Sequence, residues 1–180
     1  MNRLYKYISI IIAVCVVAAC GRKDGTNSGS NSPKIEPRSD GSIVFDIEKA
    51  ACYRNQADPS NNTAEWSFVI TKPGRYKVWL TTATIDTMNL NYSGKVRVSL
   101  QDDLLEVRPV GDKIVLDSEN IKPPYYRADS YMGTFYIQDA GTYSLQVISE
   151  KVLSKDDLAK SDNAAVPAKL MSVVLTPMTR

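Results

Sequence analysis

From Ser42 to Pro177, apolar side chains recur at every second position in one short segment after another. Ile43, Phe45 and Ile47 share one face of an extended chain, with Asp46 and Glu48 on the other. Trp66, Phe68 and Ile70 repeat the pattern, then Tyr76, Val78 and Leu80, then Val96, Val98 and Leu100. Leu105 and Val107, the short run Ile114 to Leu116, Tyr131 with Gly133, Phe135 and Ile137, and Tyr143 with Leu145 and Val147 follow, and Met171, Val173 and Leu175 close the series. A period of two is the signature of half-buried strands. Turn signals separate the segments at Lys72-Pro73-Gly74, Ser93-Gly94, Val110-Gly111-Asp112 and Asp139-Ala140-Gly141. One stretch reads as helix, Ser154 to Lys160, where Ser154 can cap and Asp156 and Asp157 occupy the first turn. About nine short strands without a long helix predict an all-β, two-sheet antiparallel β-sandwich, because a lone sheet would leave one apolar face in water.

The chain begins differently. Arg3 and Lys6 precede a nearly unbroken apolar run from Ile8 to Val17, and Val17-Ala18-Ala19 places small residues just before Cys20. This is the layout of a secretory signal. A membrane-spanning helix is the other reading, but about twelve apolar residues fall short of the roughly 20 that a span requires. The ending resembles the lipobox of bacterial lipoproteins. That resemblance implies a signal peptide over 1–19, cleavage before Cys20, and acylation of Cys20 as the anchor to a membrane. Cys15, with Ile12-Ala13-Val14 before it, fits the cleavage pattern less well and departs with the signal. Gly21 after the lipidated position, where Asp would retain the protein at the inner membrane, implies the outer membrane by the same resemblance. Lys23-Asp24 partly resembles a surface-export tag that Gly25 interrupts, so the periplasmic and surface-facing alternatives both stand. Residues 20–41 are rich in Gly, Ser, Asn and Pro and read as a flexible tether. Residues 42–180 are the expected sandwich domain.

Composition narrows the chemistry. Losing Arg3 and Lys6 with the signal leaves 20 basic residues against 20 acidic ones. Without a basic run the mature chain lacks the electrostatic footprint of nucleic-acid binding. It contains no histidine. That removes Ser-His-Asp and Cys-His catalysis and His-type zinc sites. Cys52 is the remaining thiol once Cys20 carries lipid. One thiol forms no internal disulfide, so it reads as a small apolar side chain.

Three segments, Glu65 to Leu80, Gly133 to Val147 and Leu170 to Pro177, together resemble the galactose-binding-like jelly rolls, particularly carbohydrate-binding modules of the family 6 and 35 type. The hairpins Pro73-Gly74-Arg75-Tyr76-Lys77-Val78 and Ala140-Gly141-Thr142-Tyr143-Ser144-Leu145 carry the likeness, with an apolar last strand ending in Pro177. The resemblance implies a jelly roll that binds sugars. Such modules often hold a structural calcium between carboxylates on the first and last strands. Asp46 and Glu48 could serve on the first, but the last offers Ser172 and no acid, so neither metal nor cofactor is expected.

A sugar site needs flat rings to stack on C–H faces and polar side chains for hydroxyls. Lys122 to Tyr131 holds this mix, stiffened by Pro123-Pro124. Tyr125, Tyr126, Arg127 and Asp129 are the candidate ligand contacts; the alternative folds both tyrosines onto the sandwich rim. Trp79 is a further candidate, because alternation with Val78 and Leu80 turns it to the Lys77 and Thr81 face; the alternative covers it with the Ala50 to Ala64 segment. Asn61, Asn62, Asn89 and Asn91 could bind a ligand or shape turns. Paired carboxylates at Asp46 and Glu48, or at Asp102 and Asp103, do not face one another across a cleft as glycoside hydrolysis requires. The expectation is therefore a non-catalytic, outer-membrane-anchored carbohydrate-binding lipoprotein. The alternative is a structural lipoprotein that docks a protein partner of the envelope. Cys20→Ser is expected to abolish membrane attachment, measured by fractionation with metabolic acyl labelling; a variant that still pellets with lipid contradicts the lipobox reading.

Overall fold

The computed structural model describes residues 34–153 and 166–178. Cys20, the signal, the tether as far as Pro33 and the helix expected over Ser154 to Lys160 lie outside the described residues. Ten strands form two five-stranded antiparallel sheets. The first runs in the order β1 (Ile43–Asp46), β10 (Ala168–Pro177), β4 (Gly74–Thr84), β8 (Tyr126–Ile137), β7 (Lys113–Val115). The second runs β2 (Ala51–Tyr53), β3 (Thr63–Ile70), β9 (Gly141–Ile148), β5 (Val96–Leu100), β6 (Asp103–Val107). The two-sheet sandwich expected from the alternation is what forms.

Alternation puts one apolar set from each sheet between the layers. Phe45 of β1 meets both Trp66 and Phe68 of β3 edge-on, with ring centroids 5.7 and 4.9 Å apart. The Trp66 indole N–H donates to the Asp46 carbonyl at 2.9 Å, which satisfies the one polar atom this ring carries inside. Val78, Leu80, Val98, Phe135, Leu145, Val147, Val173 and Leu175 complete the same core. Edge strands are less covered. Leu105 and Val107 of β6 and Ile114 of β7 pack against the core only partly, and Leu116, just past β7, is 65% exposed.

Two bulges shift the alternation. Between β4 and β8, Val78 pairs with Gly133 and Trp79 with Tyr131, so Met132 is an extra residue in β8. One inserted residue reverses the faces on either side of it. Met132 is therefore buried, and Tyr131 leaves the core face that its spacing from Phe135 predicts. Gly133 allows the bend: its φ is +131°, and a Cβ there would come within 2.9 Å of Leu105 on β6. The second bulge lies in β10 between Leu170 and Ser172. It moves Met171 off the core face, and Leu170 takes the buried position instead.

The folded body also starts before Ser42. The Ile35 N–H donates to the Ser67 carbonyl at 3.1 Å, and the Val69 N–H donates back to Ile35 at 2.9 Å. Ile35 thus adds to β3 beyond the end of β2, because β2 pairs only with Thr63 to Glu65. Composition hid this: a lone Ile inside a Pro- and Ser-rich stretch carries no period.

Tyr92 is buried in the core, its hydroxyl 2.8 Å from that of Thr82. Burial pushes its phenol well above the ordinary value of 10.0, outweighing the Thr82 hydrogen bond, which acts the other way. The folded state then holds this proton more tightly than the unfolded chain does. The associated stability is complete below about pH 10 and drains away as pH rises further. The melting temperature is expected to fall above about pH 10, and to fall less steeply in Tyr92→Phe, which has no proton to lose; equal slopes in a pH-scanned thermal melt would contradict this.

Candidate functional site

The outer face of the first sheet collects side chains that lie far apart in sequence. Strand register sets them in rows. Val44 of β1 pairs with Val174 of β10, Val174 with Trp79 of β4, and Trp79 with Tyr131 of β8. The next row is Asp46, Ser172, Thr81, Asp129 and, on β7, Lys113. An apolar, aromatic row thus runs beside a polar one. The β8 bulge creates the first row, since without it Tyr131 would face inward.

In the aromatic row the Trp79 and Tyr131 rings lie 5.3 Å apart, tilted by 53°. Trp79 is half-buried and Tyr131 is 40% exposed. The Tyr131 backbone N–H donates to Asp112 Oδ2 at 2.7 Å, and its hydroxyl lies 2.8 Å from that of Thr134. The neighbour of Trp79 is therefore Tyr131. The Ala50 to Ala64 segment runs instead into β2 and β3 of the other sheet.

In the polar row Asp129 is buried. Its Oδ1 accepts from Arg127 Nε at 2.8 Å and from the Thr81 hydroxyl at 2.8 Å. Arg127 remains about one-third exposed, so Asp129 fixes a guanidinium whose outer edge meets water. Asp46 pairs with Lys49 at 3.2 Å. Glu48 does not share a strand with it: β1 ends at Asp46, and Glu48 falls in a 3₁₀ turn, Ile47–Lys49. Opposite Asp46 on the last strand stands Ser172. Among the described residues no group of three or more His, Cys, Asp or Glu is placed to hold a metal ion.

Of the five side chains picked out from sequence, Trp79, Arg127 and Asp129 share this face. Tyr125 borders it: its hydroxyl donates to the Val166 carbonyl at 3.0 Å, and Lys169 Nζ sits 4.7 Å from its ring centroid. Tyr126 does not join them. As the first residue of β8 it alternates with Arg127 onto the Ala128 side, and it is 39% exposed. The two adjacent tyrosines therefore form no common platform. Tyr131, Thr81 and Ser172 were missed. Tyr131 was hidden by the bulge, and the other two become site neighbours only through cross-strand register. The asparagines hold loops together. Asn61 accepts from Arg97 at 2.6 Å, Asn62 Nδ2 donates to the Val152 carbonyl at 3.2 Å, and Asn89 accepts from the Asn91 N–H at 2.9 Å.

No known family model matches the chain, and no curated protein matches it. A solved structure shares its fold. An alpha-L-fucosidase from Vibrio sp. strain EJY3 superposes with a TM-score of 0.62 at 23% identity, over 81% of this chain and 24% of the fucosidase. A GH26-CBM35 β-(1,4)-mannanase from Podospora anserina superposes with a TM-score of 0.45 at 14% identity, over 78% of this chain and 28% of the mannanase. The chain thus spans about a quarter of the length of these proteins.

Removing the Asp129 carboxylate would leave Arg127 and Thr81 without their shared acceptor beneath the surface. Arg127→Ala is expected to cost about 3 kcal/mol, because it leaves the buried carboxylate with the Thr81 hydroxyl as its donor, whereas Asp129→Ala is expected to cost about 1–2 kcal/mol, because the partly exposed Arg127 can turn to water. Urea denaturation measures both; equal costs would contradict a buried, organising role for Asp129.

Proposed function

We propose that the chain is a lipid-anchored, non-catalytic carbohydrate-binding protein of the bacterial outer membrane, which takes glycan on the outer face of its first sheet. The observation that carries this reading is the aromatic row of Trp79 and Tyr131 beside the polar row of Thr81 and Asp129. A sugar ring has an apolar C–H face and a rim of hydroxyls; the Trp79 and Tyr131 rings suit the first, and the exposed edge of Arg127, which the polar row holds in place, suits the second. Arg127, held by Asp129, donates toward hydroxyls, and Thr81 beneath it braces Asp129. The likeness of the sandwich to part of an alpha-L-fucosidase is in keeping with a place among sugars. The anchor rests on the small residues before Cys20.

The same register argues against hydrolysis on this face. Asp46 on β1 and Asp129 on β8 stand three strand spacings apart, about 14 Å. Carboxyls that flank a scissile glycosidic bond lie roughly 5–9.5 Å apart. Asp129 is moreover committed to Arg127 and Thr81.

Trp79→Ala with Tyr131→Ala is expected to abolish retention on any polysaccharide that the parent binds, read by glycan array and affinity electrophoresis. The double variant should still melt within a few degrees of the parent. Trp66→Ala is the contrast: it empties a core position and is expected to cost about 3–5 kcal/mol. A double variant that binds as the parent does contradicts the site. A parent that retains no polysaccharide contradicts the sugar reading and favours a protein partner in the envelope.

A further inference from the structure

Three cations converge on one hollow where the N-terminal segment joins the sandwich. The hollow, about 350 Å³, lies between the Arg38 to Gly41 turn, the Lys72 to Arg75 turn that leads into β4, and Pro177 with Met178 after the last strand. Arg38, Lys72 and Arg75 are exposed there, and none of them is ion-paired among the described residues. One acid, Asp40, shares the lining. Its Oδ1 is occupied by the Ser42 N–H at 2.8 Å and the Ser42 hydroxyl at 2.6 Å. Three positive charges thus face one negative charge that is already solvated by protein donors.

The backbone carrying these cations is fixed. Arg38 donates its N–H to the Ser42 carbonyl at 2.8 Å, and Gly41 donates to Arg38 at 2.9 Å. Gly41 has a φ of +79°, and a Cβ there would come within 3.2 Å of Pro177 Cγ, so the turn lies directly on the last strand. Across the hollow, the Met178 N–H donates to the Arg75 carbonyl at 2.8 Å, and the Tyr76 hydroxyl donates to the Lys72 carbonyl at 2.6 Å. The cations sit on fixed backbone and outnumber the single protein anion of the hollow, Asp40 beside Arg38. This is the arrangement that receives an external one.

Chain length says which anion. Thirteen residues, Gly21 to Pro33, separate Cys20 from Lys34. Fully extended they span at most about 45 Å, at roughly 3.3–3.6 Å per residue. A lipid on Cys20 therefore keeps this end of the sandwich within reach of headgroups at high effective concentration. We propose that the hollow framed by Arg38, Lys72 and Arg75 seats the phosphate of anionic lipid headgroups and docks the domain on the bilayer that holds it. This rests on the lipid-anchor reading above. Asp102, Asp103 and Asp139 border a separate hollow of about 320 Å³ beside the β5–β6 and β8–β9 turns. Gly74 pairs with Ile137 and Ile70 with Gly141, so these acidic turns share the end of the sandwich that carries the basic lip, and docking requires a tilt that lifts them off the bilayer.

The test uses the full mature chain reconstituted into phosphatidylcholine vesicles, with or without phosphatidylglycerol. Flotation reports the anchor; mass-spectrometric acetylation footprinting of Lys72 reports the seat. Lys122, exposed near the opposite end of β4, is the internal control. Phosphatidylglycerol is expected to slow Lys72 acetylation about tenfold relative to Lys122, since each basic side chain near an anionic surface contributes to docking. Protection should vanish at about 0.5 M salt and in Arg38→Gln with Arg75→Gln, which should still float. A chain that floats with both vesicles yet shows equal Lys72 reactivity overturns the seat and leaves the anchor standing. A chain that floats with neither overturns the anchor and the seat together. Protection by inorganic phosphate on neutral vesicles, equal to that from phosphatidylglycerol, overturns the headgroup assignment in favour of a soluble anion.

Discussion

The antiparallel pairing of β4 with β8 is the constraint on which the rest of the first sheet depends. It joins the two longest strands, and both neighbours of the pair, β10 and β7, take their register from it. It also contains the irregularity that matters most. By holding Val78 to Gly133 and Trp79 to Tyr131, the pairing leaves Met132 over. The residues on one side of Met132 feed the core through Phe135 and Ile137. Those on the other side turn Arg127, Asp129 and Tyr131 outward. A regular ladder would have put Tyr131 in the core and left Trp79 without an aromatic neighbour.

The outer rows show how a candidate site is assembled on a sheet without a cleft. Within each row every side chain comes from a different strand, and each is positioned by backbone bonds that serve the fold. Asp129 has a structural part and a presenting part together: its carboxylate ties β8 to β4 through Thr81 and holds Arg127 upright. Its burial is tolerable because both of its neighbours donate to it; an unpaired carboxylate at that depth would be costly.

Much of the fold was legible in the sequence because burial on one face of a strand writes itself as alternation. Phe45, Trp66, Phe68, Val78, Leu80, Val98 and Leu145 all lie where the period puts them. The period failed at Tyr131 and Met171, each beside a bulge, because an inserted residue changes phase without changing composition. It also missed Ile35, whose two backbone bonds to β3 depend on the short reach of β2. Trp79, Arg127 and Asp129 could be picked out as an outward aromatic and as charges in an aromatic segment. Their grouping with Thr81, Ser172 and Tyr131 could not, because adjacency across strands is a matter of register. Tyr125 and Tyr126 stood together in sequence but part where β8 begins: Tyr126 opens the strand on the Ala128 side, while Tyr125 precedes it and bonds Val166.

Ile35 joins the second sheet, whereas the Trp79–Tyr131 row lies on the first. A pull exerted on the outer face reaches β1 along the first-sheet ladder through β4 and β10, and from β1 follows the backbone back through the Arg38 to Gly41 turn to Ile35. There it meets the two backbone bonds that tie Ile35 to Ser67 and Val69, beside the contact of Lys34 with Thr142. The sandwich is mechanically graded as a result: the first element to yield under tension is the short added segment, and its detachment lengthens the free chain ahead of Ser42 while the two ladders stay whole.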